Sequence, residues 1–208
     1  MKPESVLRVM KLNISEIFYS LQGEGLRVGA STIFIRLQGC NTKHACLKSG
    51  VLCDTEFESG KEYNLEQILL WIESHAKPCK VITWTGGEPT DQLTEQIVAW
   101  FKDKGFYQTI ETSGLNPVPN NIDFVTLSPK VAEHVIKKNF EKVDELKYVR
   151  HMGQEIPQPS IEADYYWLSP HSDGFTINLK NLNHCIELCK KHPKWRLSLQ
   201  SHKIWNVL

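Results

Sequence analysis

Apolar residues in this chain gather into short β-branched and aromatic runs separated by turn residues, a pattern that predicts strands. Eight runs qualify: Ile14–Tyr19, Thr32–Leu37, Lys80–Trp84, Tyr107–Glu111, Phe124–Leu127, Leu146–Val149, Tyr165–Leu168 and Arg196–Leu199. Between them the period changes. Leu65, Ile68, Leu69 and Ile72 repeat at helical spacing, which predicts a helix over Leu65–Ala76 with Asn64 as its N-cap. A second helix is predicted over Leu93–Lys104, with Ile97, Val98 and Phe101 on one face and Gly105 as its stop. A third covers Leu182–Lys191 and turns Ile186 and Leu188 inward. The segment Val131–Val143 reads as helix or loop, with Lys137, Lys138 and Lys142 on a solvated face.

Strand–helix–strand alternation predicts an α/β fold with a largely parallel sheet. The helices are too few for a complete eightfold barrel, so the expected architecture is a partial, open, TIM-like barrel formed by one domain over residues 1–208. Polar motifs fall just past the strands. Gly39-Cys40-Asn41, Thr85-Gly86-Gly87-Glu88-Pro89, Thr112-Ser113-Gly114, Ser128-Pro129-Lys130, Ser169-Pro170-His171 and Gln200-Ser201-His202-Lys203 each follow a predicted strand. In parallel α/β architectures the carboxyl ends of the strands carry the ligand site, so these motifs are expected to converge on one mouth.

Charge narrows the possible partners. Lysine plus arginine and aspartate plus glutamate number 24 each, which gives no electrostatic case for nucleic acid or a membrane surface. Met1-Lys2-Pro3-Glu4 opens no signal peptide, and no run approaches the roughly 18 apolar residues of a spanning helix. The expected location is the cytoplasm. In that reducing compartment clustered cysteines point to metal or redox chemistry. Three of the six cysteines lie close together as Cys40-x5-Cys46-x6-Cys53. Thiolates select zinc, copper(I) or iron–sulfur clusters. Zinc would need a fourth ligand, and His44 is the candidate. Three cysteines also suit a four-iron cluster whose fourth iron stays open to a ligand. Cys79, Cys185 and Cys189 read as core residues.

The remaining motifs add ligand chemistry. Gly86-Gly87 permits close backbone approach, and Glu88 offers a carboxylate for an ammonium group. Asp54-Thr55, beside Cys53, presents hard oxygens suited to magnesium. Lys130 and Lys203 are candidate carboxylate contacts. Ser20-Leu21-Gln22-Gly23-Glu24-Gly25 follows the first strand, and its glycines free the backbone for a flat polar ligand. Glu24 could match an amino-pyrimidine edge. Arg36 suits either bidentate carboxylate recognition or a strand-surface ion pair.

In this order, Leu21-Gln22-Gly23-Glu24-Gly25, Arg36-Leu37-Gln38-Gly39-Cys40-Asn41, Cys53-Asp54-Thr55, Thr85-Gly86-Gly87-Glu88-Pro89, Glu111-Thr112-Ser113-Gly114, Ser128-Pro129-Lys130 and Gln200-Ser201-His202-Lys203 resemble the 7-carboxy-7-deazaguanine synthases. These are radical S-adenosylmethionine enzymes of queuosine and 7-deazapurine biosynthesis. The resemblance implies a homodimeric open barrel that contracts 6-carboxy-5,6,7,8-tetrahydropterin to 7-carboxy-7-deazaguanine with loss of ammonia. It implies a four-iron, four-sulfur cluster that cleaves S-adenosylmethionine to a radical, which takes hydrogen from the substrate's C6. Magnesium and a flavodoxin or ferredoxin electron donor are implied with it.

Residue by residue, the resemblance implies that Cys40, Cys46 and Cys53 ligate the cluster and Thr55 the magnesium. Leu21, Gln22, Gly23, Arg36 and Thr85 would hold the pterin, and the terminal carboxylate of Leu208 would reach it. Gly87 and Glu88 would meet the methionine end of S-adenosylmethionine. Leu52, Asp54, Ser113, Ser128, Pro129 and Lys130, with the loop Ser169, Pro170, His171 and Ser172, would line the rest of that site. Two features depart from the pattern. The superfamily's usual spacing is Cys-x3-Cys-x2-Cys with an aromatic residue before the third cysteine; here the loop is longer and Leu52 stands in the aromatic position, which leaves His44 as the alternative to Cys46. The loop from Ser169 to Gly174 lacks the family's usual Gln-Pro start. A glycyl-radical activating enzyme would explain the cluster without the Leu-Gln-Gly-Glu-Gly or Asp-Thr elements. A non-catalytic zinc or iron–sulfur module would explain the cysteines alone.

Overall fold

A computed structural model describes residues 10–48, 58–172, 174 and 176–207. Strands β1 (Lys11–Leu21) and β2 (Ser31–Leu37) form an antiparallel hairpin. A short helix α1 (Lys43–Lys48) follows, then an edge strand β3 (Lys61–Asn64) and helix α2 (Leu65–His75). The chain continues through β4 (Val81–Gly86), α3 (Glu95–Asp103), β5 (Tyr107–Thr112), β6 (Phe124–Leu127) and α4 (Glu133–Ile136). It ends with β7 (Lys142–Arg150), β8 (Glu162–Pro170), α5 (Leu179–Lys191), β9 (Trp195–Leu197) and α6 (Ser201–Trp205). The nine strands make one sheet in the order β3-β1-β2-β4-β5-β6-β7-β8-β9. From β2 onward all neighbours are parallel, and the two outer strands do not pair with each other. The expected open, mostly parallel barrel with few helices is therefore the observed fold.

All eight predicted strands are present, most of them longer than their apolar runs. The polar β3 is new: it pairs with β1 and carries an ion pair from Glu62 to Lys11 at 2.5 Å. Asn64 caps α2 as expected, accepting from the Gln67 backbone at 2.8 Å while the Gln67 side chain returns to Asn64. Helix α3 is capped by Thr94 and ends before Gly105, whose φ of 79° few other residues adopt. The third helix begins three residues earlier than predicted, at Leu179, because Asn178 accepts from the backbones of Lys180 and Asn181. Within 131–143, α4 and a 3-10 turn (Lys137–Asn139) precede β7, which takes in Lys142, and both lysines of that turn are exposed.

Alternation along each strand divides the sheet into two faces. The outer face packs on the helices. Ile33, Ile35, Leu37, Ile82, Trp84 and Ile110 meet Ile68, Ile72, Ile97 and Phe101 of α2 and α3. Leu127, Leu146, Tyr166 and Leu168 form a second cluster with Ile136, Cys185 and Leu188. Cys79 and Cys185 are buried in these clusters, and Cys189 packs at the margin of the second, as core residues should. The inner face is polar. Thr32, Thr83 and Thr109 are buried and bridge three adjacent strands through their hydroxyls, at 2.8 and 2.9 Å. No helix among the described residues is long and apolar enough to cross a membrane.

Candidate active site

The parallel register brings the motif-bearing strand ends level. Leu37 pairs with Gly86, Thr112 with Leu127, Leu127 with Leu146, and Arg150 with Pro170. The segments after β2, β4, β5, β6 and β8 therefore leave from one edge. Those after β2 and β4 are joined through their backbones. Gly87 N–H donates to Leu37 O and Glu88 N–H to Gly39 O, both at 2.9 Å. A Cβ on Gly87 would lie 1.7 Å from Gly39 O, so only glycine allows this approach. Glycine is required here by the neighbouring loop as well as being suited to a ligand.

Glu88 is 1% exposed, and its carboxylate accepts five hydrogen bonds. Thr112 Oγ1 (2.6 Å), Ser113 N–H (2.8 Å) and Ser113 Oγ (2.5 Å) come from the next strand end. Thr90 adds its N–H (3.2 Å) and its hydroxyl (2.7 Å). The carboxylate expected to hold an ammonium group is thus occupied with fixing Ser113, and the Glu88 backbone has only the second lone pair of its carbonyl, which already accepts from Asp91 N–H at 3.1 Å, to present to a ligand. Asp91 extends the shelf. It accepts from Asn41, beside Cys40, at 2.6 Å and from Asn116 at 2.9 Å. Burial and the nearby Glu88 charge raise the Asp91 pKa, against the two asparagine contacts.

Cys40 lies at the end of this shelf, half-buried, with its sulfur 3.2 Å from Thr42 Oγ1. Cys46 is half-buried on α1, whose start is set by Thr42 O accepting from the Ala45 and Cys46 backbones. His44, on the same helix, is exposed. Glu58 pairs with Lys43 and accepts from Gln38 through its carbonyl, which ties the two ends of the cysteine loop together. Leu52, Cys53, Asp54 and Thr55, and likewise Leu208, lie outside the described residues. Cys40 and Cys46, neither of them in a disulfide, place two soft donors within one short segment after a strand, which fits a soft metal centre. Further along the edge, Lys130 Nζ donates to Ser128 Oγ at 3.0 Å, and Ser128 N–H to Thr112 O at 2.8 Å. Ser169 is buried, and the His171 ring stacks on His151 at 4.2 Å. Asn181 accepts from Met152 N–H and donates to His171 O, fixing the same loop.

The Leu21–Gly25 segment arrives differently. Because β1 is antiparallel to β2, Leu21 pairs with Ser31, and the segment leaves from the opposite edge of the sheet. It then folds back over the inner face. Gln22 and its partners Gly29 and Ala30 close the neck of the loop, with bonds of 2.8 Å each. Gln22 Nε2 donates to Glu111 Oε1 at 2.9 Å, and Thr85 Oγ1 lies 3.4 Å from Glu111 Oε2. Ser201 N–H donates to Gly23 O, and His202 covers Gly23 so closely that a Cβ there would meet Nδ1 at 2.2 Å. The motif after β9 thereby reaches the same place as the motif after β1. Lys203 instead donates to Gly174 O at 2.6 Å.

Glu24 does not offer a free edge to an amino-pyrimidine. Its carboxylate pairs with Lys147 Nζ at 2.5 Å, with the two side chains 15% and 11% exposed. Burial pushes the Glu24 pKa up, but Lys147, with help from His202 and Gln200, holds it below the ordinary carboxylate value. Burial opposes the Lys147 charge, yet Glu24, Glu111 and Glu145 together raise its pKa. The carboxylate left beside the expected pterin residues is Glu111, which sequence reading placed in a motif without a role. Glu145 was missed because the predicted strand began at Leu146, and Lys147, inside that strand, because nothing near it in sequence points to its partner Glu24. Carried back to Lys142, the alternation puts both on the polar inner face. Arg36 pairs with Glu16 at 3.3 Å, and its guanidinium lies 5.1 Å from the centroid of the Phe18 ring. The pair is 28% and 45% exposed, so exchanging Glu16 for a ligand carboxylate costs little.

No family model matches the chain. Three curated relatives resemble it over nearly its whole length. A 7-carboxy-7-deazaguanine synthase from Bacteroides thetaiotaomicron is 36% identical, covering 95% of this chain and 100% of the relative. Enzymes of the same name from Burkholderia multivorans and Haemophilus influenzae are each 35% identical, covering 95% and 94% of this chain and 100% and 93% of theirs. Among solved structures, QueE from Escherichia coli matches with a TM-score of 0.69 and 26% identity, over 97% of this chain and 100% of that one.

Proposed function

The chain belongs to the 7-carboxy-7-deazaguanine synthase family, and on that premise we propose that it is a radical S-adenosylmethionine lyase that contracts 6-carboxy-5,6,7,8-tetrahydropterin to 7-carboxy-7-deazaguanine with loss of ammonia. Whole-length similarity to named synthases is the observation that carries this reading. Cys40, Cys46 and Cys53 would hold a four-iron, four-sulfur cluster, which when bound would supply the electron for reductive cleavage of S-adenosylmethionine. The Gly87 and Glu88 backbones hold the methionine end. Ser113, fixed by the Glu88 carboxylate, lines the same site with Leu52, Asp54, Ser128, Pro129 and Lys130 and with Ser169, Pro170, His171 and Ser172.

Leu21, Gln22, Gly23, Thr85 and the Leu208 carboxylate hold the pterin, with Arg36 on its carboxylate. Glu111 joins this set: the pterin's exocyclic amine and ring N–H are two adjacent donors, and a carboxylate already oriented by Gln22 and Thr85 is a matching pair of acceptors. Thr55, with Asp54 beside it, binds magnesium, whose hard-oxygen preference suits a shared substrate carboxylate. The enzyme acts as a homodimer and takes its electron from a flavodoxin or ferredoxin in the cytoplasm.

Anaerobic reconstitution with iron and sulfide, followed by dithionite, S-adenosylmethionine, magnesium and the carboxytetrahydropterin, tests the reading. A brown protein with about four irons that forms 7-carboxy-7-deazaguanine is expected. A colourless zinc protein, or a cluster protein that leaves the pterin unchanged, overturns it. Cys46→Ala should abolish iron binding; iron retained in Cys46→Ala and lost in His44→Ala reassigns the middle ligand.

A further inference from the structure

The loop that carries Gln22, Gly23 and Glu24 is secured from below by a side chain that neither its own motif nor the expected binding set contains. Glu145 is buried on the inner face of β7. Its Oε1 accepts from Leu26 N–H and from the Trp167 indole N–H, the latter at 2.9 Å. Its Oε2 accepts from Thr126 Oγ1 at 2.9 Å. Gly25, in a left-handed conformation with φ of 67°, presses on the same carboxylate, and a Cβ there would meet Oε2 at 2.6 Å. The neighbouring bond from Gly25 N–H to Ser198 Oγ is 3.1 Å. Gln22 and Glu24, on the other side of this turn, are held to Glu111 and Lys147. One backbone donor, Leu26 N–H, seated on a buried carboxylate against which Gly25 also packs, fixes the height of the loop above the sheet.

We propose that Glu145 is a positioning residue for the substrate: it latches the Gly25-Leu26 turn so that Gln22 and Gly23 face the pterin. The proposal rests on the pterin reading above for its kinetic consequence but not for the latch itself. Trp167 and Thr126 pre-orient the carboxylate, so the latch acts through the backbone of residue 26 and touches no reacting atom.

Three variants of the full-length reconstituted protein test it, with hydrogen–deuterium exchange of the 22–30 segment read beside kinetics. Glu145→Ala is expected to speed exchange at Leu26 at least tenfold, to raise the pterin KM roughly tenfold, and to leave the KM for S-adenosylmethionine and the iron content unchanged. Glu145→Gln keeps an oxygen for Leu26 and Trp167, and its amide can donate to Thr126, so it should stay within about threefold of the parent in both readouts. Gly25→Ala approaches from the loop side, leaves the sheet intact and should reproduce the alanine effect at position 145. Unchanged Leu26 exchange in Glu145→Ala or Gly25→Ala overturns the latch. So does an equal rise in both KM values, or a Glu145→Gln protein as impaired as Glu145→Ala. A parent enzyme inert toward the pterin would instead defeat the functional reading and leave the exchange experiment to judge the latch.

Discussion

Glu88 and Glu145 are both buried carboxylates that tie one stretch of backbone to another, but they stand in different kinds of surroundings. Glu88 lies at the carboxyl edge of the sheet, and its five donors come from residues two to 25 positions away in sequence. Glu145 lies on the inner face and receives a backbone N–H from 119 positions away. Around Glu88 the partners are hydroxyls and peptide groups. Around Glu145 stand further charges, the Glu24–Lys147 pair and Glu111. The edge is built by neighbouring strand ends meeting their own turns. The inner face is built by a loop that crosses the sheet to charges it could meet only after the sheet had formed. The carboxyl edge is held by one buried carboxylate among neutral donors from its own turns, whereas the 22–26 loop is held among paired charges.

The largest effect should come from removing the edge carboxylate. Glu88→Ala strands the buried Ser113 N–H and three hydroxyls, and should cost about 3 kcal/mol in urea unfolding and more than a hundredfold in turnover. Glu88→Gln returns one accepting oxygen to the Thr90 and Thr112 side but turns an amide N–H toward Ser113 N–H, so it should cost about half as much. If the glutamine variant matched the parent, neutral hydrogen bonding would suffice at the edge, and dependence on buried charge would be confined to the inner face.

The second effect belongs to the charged interior. Lys147→Met leaves Glu24 largely buried without its partner and should cost about 3 kcal/mol. Adding Glu24→Gln removes the stranded charge and should bring stability back to within about 1 kcal/mol of the parent, because a buried pair contributes little net energy over neutral residues of similar shape. Urea unfolding of both single variants and the double variant reads this coupling. Additive losses would mean that the two side chains do not depend on each other and that paired charge does not hold the interior.

The same division governs what could be read from the sequence. The carboxyl edge was legible because its residues sit directly after apolar runs, and parallel strands bring such positions to one side without further information. Glu88, Ser113 and Ser128 were named as candidates for that reason, although the inward turn of the Glu88 carboxylate depended on Thr112 at the next strand end. The loop at 22–25 was legible as a motif and not as a position. Direction was the missing quantity: an antiparallel β1 sends the segment to the far edge, and only the bonds to Glu111, Lys147 and Glu145 carry it back. Glu24 was matched to a ligand because no signal in its neighbourhood announces a lysine 123 residues on. The edge strand β3 escaped because Lys61-Glu62-Tyr63-Asn64 has no apolar alternation, and the short helix α1 because Thr42, rather than any periodicity, starts it.

The smallest effect separates the interior charges by sign. Burial raises the Glu145 pKa, against the bonds from Leu26, Thr126 and Trp167 and the Lys147 charge. Between the ordinary carboxylate value and that raised one, the folded protein binds more protons than the unfolded chain, so this group makes stability fall as pH rises through the window. Glu24 and Lys147 do not contribute a slope there. Glu24 has a lowered pKa, so its contribution is present above the ordinary carboxylate value and is lost only as pH falls through its lowered one. Lys147 has a raised pKa, so its contribution is complete below the ordinary lysine value and is lost only as pH climbs through its own. Glu145→Gln should therefore flatten the unfolding free energy against pH just above the ordinary carboxylate range and leave the strongly acidic and alkaline limbs as they were. An unaltered slope in that window would mean that water reaches Glu145, in which case its hold on Leu26 is an exposed bond rather than a buried one.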